Sequence, residues 1–95
     1  MFDIELKVEA LAALRKIMPF HAKQILDAVE SALSLEPERT AKTRIKRLRG
    51  RHRATFRLRV GDFRVFYDVL ENTVSVVAIL HKDETQKFYE QGQAP

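Results

Sequence analysis

The stretch TFRLRVGDFRVFYDV, Thr55–Val69, decides the fold. Phe56, Leu58 and Val60 alternate with Thr55, Arg57 and Arg59, the period of a strand with one apolar face. Gly61-Asp62 follows as a two-residue hairpin turn, the glycine supplying positive φ. Beyond it, Phe63, Val65, Tyr67 and Val69 alternate with Arg64, Phe66 and Asp68. If the apolar set faces a core, Arg57, Arg59 and Arg64 project together from the opposite face. Like charges so placed disfavour folding unless an anion sits among them. The alternative is that each pairs with Asp68, Asp83 or Glu84.

Glu71-Asn72 marks a second turn, and the nearly unbroken apolar run Val74–Leu80 suits a central strand. A short helix over about Glu84–Gln91 finishes the chain. Toward the N-terminus, Phe2, Ile4, Leu6 and Val8 alternate with Asp3, Glu5 and Lys7, an opening strand with one wet face. Leu11, Leu14, Ile17 and Met18 form a helical stripe, so a first helix runs roughly from 9 to 17. Pro19 stops it and suits the first turn of the next, where its missing N–H costs nothing. Ala22, Ile25, Leu26, Val29, Ala32 and Leu33 repeat at three and four, a second helix ending before Pro37. The order is β-α-α-β-β-β-α. The class is α+β: two N-terminal helices packed on a small antiparallel sheet, with a short C-terminal helix. No repeat, linker or low-complexity tract divides residues 1–95, and a chain of 95 residues suffices for one core.

With 45% hydrophobic and 32% charged residues the composition is globular. The absence of cysteine removes disulfides, thiolate zinc sites and cysteine nucleophiles together. The longest apolar run falls far short of the ~18 residues of a membrane span, and Met1–Glu5 is acidic where a secretory signal would be basic. A soluble, cytoplasmic domain is expected. The formal charge of +4 conceals a strong asymmetry. From Arg39 to Arg64 the bases are Arg39, Lys42, Arg44, Lys46, Arg47, Arg49, Arg51, Arg53, Arg57, Arg59 and Arg64, against Asp62 alone. That segment therefore carries +10 and the rest of the chain −6. Such segregation is the footprint of a polyanion binder or of an acidic protein partner. Nine of the eleven bases are arginine, whose planar fork suits phosphate.

His81-Lys82-Asp83 follows the apolar run, and Tyr89 comes seven residues after Lys82. His81 stands at a strand end, where a side chain can overhang a sheet face beside the guanidinium groups. His21 falls in the second helix and His52 in the basic segment, and no pair of histidines has metal-ligand spacing. Of Phe88 and Tyr89, one must dock the last helix. No G-x-S-x-G, Walker loop or G-x-G-x-x-G is present, so no cofactor is expected.

Leu48-Arg49-Gly50, then FRLRVGDFRVFY (Phe56–Tyr67), then Val76 through His81-Lys82 and a terminal Tyr89, resemble the RelE/ParE superfamily of toxin–antitoxin toxins. The resemblance spans essentially the whole chain and implies a small fold of the microbial-RNase type. It implies a metal-independent endoribonuclease that cleaves mRNA in the ribosomal A site and is neutralised by a short acidic antitoxin, RelB-like or other. DNA would be met only through that antitoxin, and no membrane is involved. Some relatives instead poison DNA gyrase and cut no RNA. On the family's pattern Arg57 and Arg59 match a pair of basic residues, Arg64 an arginine of the second strand, His81-Lys82 a basic dipeptide and Tyr89 a C-terminal tyrosine. Arginine, with a pKa above 12, is no general base, so Arg57, Arg59 and Arg64 are assigned to the phosphate with Lys82. His81 is assigned the proton transfer, and Tyr89 a base or the 2′-hydroxyl. The segment Lys42–Arg53 reads as a loop and lacks stacking aromatics. Its Lys42, Arg44, Lys46, Arg47, Arg49, Arg51 and Arg53 are therefore expected to bind ribosomal RNA backbone by shape and charge.

Overall fold

The computed structural model describes residues 1–40, 44–49 and 53–92. The chain runs β1 (Asp3–Leu6), α1 (Val8–Lys16), α2 (Pro19–Leu33), β2 (Ile45–Arg47), β3 (Phe56–Val60), β4 (Phe63–Leu70), β5 (Thr73–His81), a 3-10 turn (Lys82–Glu84) and α3 (Thr85–Gly92). The expected α+β class and the expected order of elements are present. Two features differ. A three-residue strand, β2, lies inside the basic segment read as loop. The sheet, in order β1-β5-β4-β3-β2, is mixed: β2 to β5 are antiparallel, but β1 pairs β5 in parallel. Tight turns dictate direction only between strands they join; β1 is separated from β5 by most of the chain.

Both hairpins turn in two residues, Gly61-Asp62 and Glu71-Asn72. Gly61 has φ +57°, as its turn requires, while Glu71 takes φ +56° without glycine's freedom.

Helices α1 and α2 cover one sheet face. Leu14, Ile25, Val29 and Leu33 meet Phe56, Leu58, Val65, Tyr67, Val74, Val76 and Ile79 in the main core. The other face carries a smaller cluster, Ala54, Phe66, Ala78 and Phe88, under α3. Phe66 is fully buried and its ring stacks on Phe88 at 4.1 Å. Phe88 is thus the residue that docks the last helix.

One irregularity sets what β5 presents to each face. Between Phe66 and Tyr67 the register slips, so that Phe66 pairs Ala78 while Tyr67 pairs Val76. Val77 is the extra residue of a bulge. Upstream of it Val74 and Val76 face the main core; downstream Ile79 takes that side, and so does His81, which pairs Phe63. No helix among the described residues is long and apolar enough to cross a membrane.

Tyr67 holds the chain that leaves α2. Its hydroxyl donates to the Pro37 carbonyl at 2.5 Å, and both residues are buried. Burial, then the neighbouring Glu38 carboxylate, pushes the phenol well above its ordinary range. An acid raised in the folded state keeps its proton there while the unfolded chain ionises, so its stabilisation is present below about pH 10 and lost above it. Tyr67→Phe should lower stability at neutral pH by about 1–2 kcal/mol in urea unfolding, and should decline less steeply than wild type above pH 10. Equal alkaline slopes would contradict the role given to this phenol.

Candidate functional site

The register of β2, β3 and β4 lines up cations across the sheet. Arg59 lies directly opposite Arg64, and Ile45 opposite Leu58. Arg44 is therefore opposite Arg59, whose backbone N–H donates to the Arg44 carbonyl at 2.8 Å. Arg44, Arg59 and Arg64 make one row on the face away from α1 and α2. A second row on that face is Lys46, Arg57 and Phe66. Opposed residues on neighbouring strands have Cβ atoms about 4.5–5.5 Å apart, so these like charges sit within reach of one another, and Arg57 and Arg59 both act on the charge of Arg64.

Few acids answer them. None of the ion pairs among the described residues involves Arg44, Arg57, Arg59 or Arg64. Asp68 accepts instead from the Thr55 backbone N–H and hydroxyl, both at 2.7 Å, while Asp83 and Glu84 serve the backbone and ring of His81. Arg64 folds back on the hairpin, its Nη1 donating to the Gly61 and Phe63 carbonyls, both at 3.0 Å. Burial, then Arg57 and Arg59, lowers the Arg64 pKa from its ordinary value, and Tyr89 and Asp62 oppose the shift. It stays charged at neutral pH. Arg57 is half-buried, and its Nε–H is buried with no hydrogen-bond partner among the described residues. A donor left so is a standing cost that an incoming acceptor would remove.

Arg44, Arg59, Arg64 and Lys82 line one concavity of about 620 Å³, with Gln24 from α2 and the Gly61-Asp62 turn. Lys82 is tied there by Asp62: its backbone N–H donates to the Asp62 carbonyl at 2.7 Å, and Nζ lies 3.5 Å from the carboxylate. Tyr89, on α3, packs its ring edge-on to Phe66 at 5.7 Å, which brings it to the cationic face.

The structure therefore gathers Arg57, Arg59, Arg64, Lys82 and Tyr89, but not His81. The bulge at Val77 turns His81 to the opposite face, where its ring meets Phe63 edge-on at 5.6 Å. Its Nδ1 accepts from the Asp83 backbone N–H at 3.2 Å, capping the 3-10 turn. The expectation that His81 stands beside the guanidinium groups is corrected on this ground.

The basic segment divides as well. Arg44 and Lys46 join the cationic face through β2, which the run of charges concealed; the signal was Ile45 alternating with them. Arg47 points to the other side, 5.4 Å over the Phe56 ring. Arg53 forms an ion pair with Glu9 of α1 and lies 5.2 Å over Phe88, holding α3. Arg49 is exposed. Lys42 and Arg51, with His52, lie outside the described residues. Asp62, read only as a turn residue, is also the tether of Lys82. No group of three His, Asp or Glu residues that could hold a metal ion occurs among the described residues.

The family model described as the ParE toxin of the type II toxin–antitoxin system, parDE, matches residues 4–85. The fold matches that of the RelBE2 toxin–antitoxin complex of Mycobacterium tuberculosis with a TM-score of 0.73 and 26% identity, over 84% of this chain and 96% of that one. It matches the archaeal RelE–RelB complex of Pyrococcus horikoshii with a TM-score of 0.70 and 21% identity, over 87% and 97%. Free E. coli RelE carrying two arginine-to-alanine substitutions matches with a TM-score of 0.56 and 18% identity, over 96% and 93%. No curated protein sequence is recognisably similar.

A row of opposed arginines stores repulsion. Arg59→Gln should raise stability at low salt by about 0.2–1 kcal/mol, with the gain shrinking as salt screens the charges. Sulfate should stabilise wild type more than the variant in thermal melts. Loss of stability in Arg59→Gln, with no difference in sulfate response, would show these arginines to be structural.

Proposed function

Since the chain belongs to the ParE toxin family of type II toxin–antitoxin systems, within the RelE/ParE superfamily, we propose that it cleaves mRNA in the ribosomal A site as a metal-independent endoribonuclease. The observation that supports this most is the row Arg44, Arg59 and Arg64, in no ion pair among the described residues, joined by Lys82 in a concave site and flanked by Tyr89. Cleavage starts with attack of a ribose 2′-hydroxyl on the adjacent phosphate. It needs a group to take that proton, a stabiliser for the phosphorane's added charge, and a donor to the leaving 5′-oxygen.

Arg59 and Arg64 hold the non-bridging oxygens and absorb the developing charge from a scaffold already rigid before substrate arrives. Arg57 adds its charge from the neighbouring row, its Nε–H without a hydrogen-bond partner among the described residues. Arginine exchanges no protons near neutrality, so proton transfer falls to Lys82 and Tyr89. Lys82, tethered by Asp62, donates a proton to the leaving 5′-oxygen as its bond to phosphorus breaks; Tyr89 orients the 2′-hydroxyl, whose proton passes through the phenol oxygen to solvent as the new O–P bond forms. Lys46 and Arg44 extend the grip along the strand, and Arg49 with Lys42 and Arg51 add charge toward ribosomal RNA.

The toxin's antitoxin is proposed to be short and acidic, since it has to cover the +10 segment. The M. tuberculosis and P. horikoshii relatives are both toxin–antitoxin complexes, which supports such a partner.

A second reading, inhibition of DNA gyrase without RNA cleavage, is favoured by one observation. The matching family model is that of ParE, and its match ends at residue 85, before Tyr89.

Induction of the chain in a bacterial cell, followed by primer extension on an abundant transcript, separates the two. Cuts confined to translated regions and in phase with codons are expected. Arg64→Ala and Lys82→Ala should each slow them by about 100-fold or more, and Tyr89→Phe by a similar factor. Growth arrest with intact mRNA and accumulating DNA breaks would establish the gyrase reading instead.

A further inference from the structure

We infer that a second concavity, made by the rings of His21, Phe63 and His81, is a stacking site for the nucleobase next to the phosphate held by the cationic row. The inference rests on the proposed reading of the chain as an RNA-binding toxin. This concavity, of about 320 Å³, shares Gln24, Gly61 and Asp62 with the cationic one. The two adjoin at these residues by the β3–β4 turn, one lined by cations and the other by rings.

The rings are spaced as a set. His21 and Phe63 have centroids 5.6 Å apart, and Phe63 and His81 also 5.6 Å. All three are half-buried. Phe20 continues the series, 5.4 Å from His21 and 74% exposed, so the aromatic surface extends past what core packing requires.

The chemistry on the two sides is complementary to two parts of one ligand. The cationic side binds phosphate. The ring side carries no lysine or arginine, and Asp62 at the shared rim repels a second phosphate. What fits there is an uncharged planar group, with the Gln24 amide offering a donor and an acceptor to its edge. A nucleotide in a single strand presents that pair of features, a charged phosphate with a flat base beside it. Aromatic stacking is sequence-tolerant but stronger for larger bases, so a purine is favoured.

The test uses the full chain and two non-cleavable 2′-O-methyl RNA hexanucleotides, one of adenylate and one with abasic residues throughout. Wild type should bind the adenylate strand about tenfold or more tightly than the abasic one. His21→Ala and Phe63→Leu, the latter keeping an apolar side chain for the core, should lower the adenylate affinity to the abasic value and leave abasic binding unchanged. Arg59→Ala and Arg64→Ala should weaken both strands alike. If both ring variants keep the wild-type ratio, or wild type shows no preference for bases, the stacking site is wrong while the phosphate site stands. Ring variants that keep the ratio but lose the antitoxin would assign the rings to protein docking. If the arginine variants leave both strands unaffected, the phosphate reading fails with it.

Discussion

Two arginines are held directly opposite one another where β3 turns into β4. The backbones of Arg59 and Arg64 cannot move apart, because the strands that carry them are joined by a two-residue turn and buried on their other face by Leu58, Val60 and Val65. The hairpin's hydrophobic face thus imposes a like-charge contact on its polar face. Much of the site follows from that constraint. The turn contributes Asp62, which ties Lys82 back over the pair; β2 adds Arg44 beside Arg59. A phosphate is the chemically apt way to relieve such a row, and repulsion relieved on binding is affinity gained.

The last helix completes the arrangement from the other direction. Alternation assigns the apolar Phe66 of β4 to the arginine face, and it is buried by Phe88. Arg53, drawn between Glu9 and the Phe88 ring, pins the same helix. That docking carries Tyr89 to the edge of the cationic cluster. A basic residue of a charged segment is here spent on positioning, which composition alone would have assigned to nucleic acid.

Much of the fold was legible because its signals were periodic. The alternation through Thr55–Val69, the proline between the helices and the two short turns fixed the elements to within a few residues. They also placed Arg57, Arg59 and Arg64 together. What escaped had no period to read. Val76 to Leu80 is apolar at every position, so nothing in it betrays the bulge at Val77 that reverses the faces of all that follows. His81 went to the wrong side for that reason alone. Ile45 lies in a run dominated by charge, so β2 was hidden and the segment was read as a loop. The parallel pairing of β1 depends on a contact between the two ends of the sequence, which no local pattern encodes.

The most direct measurement is the chemistry of the cut ends. Ribosomes programmed with a defined mRNA and treated with the purified toxin should yield fragments ending in a 2′,3′-cyclic phosphate, with 5′-hydroxyl partners, formed about 100-fold or more slowly with Arg64→Ala. Those ends are what 2′-hydroxyl attack at an arginine-held phosphate must leave. Fragments with 3′-hydroxyl and 5′-phosphate ends, or intact mRNA under toxin that still arrests growth, would contradict it.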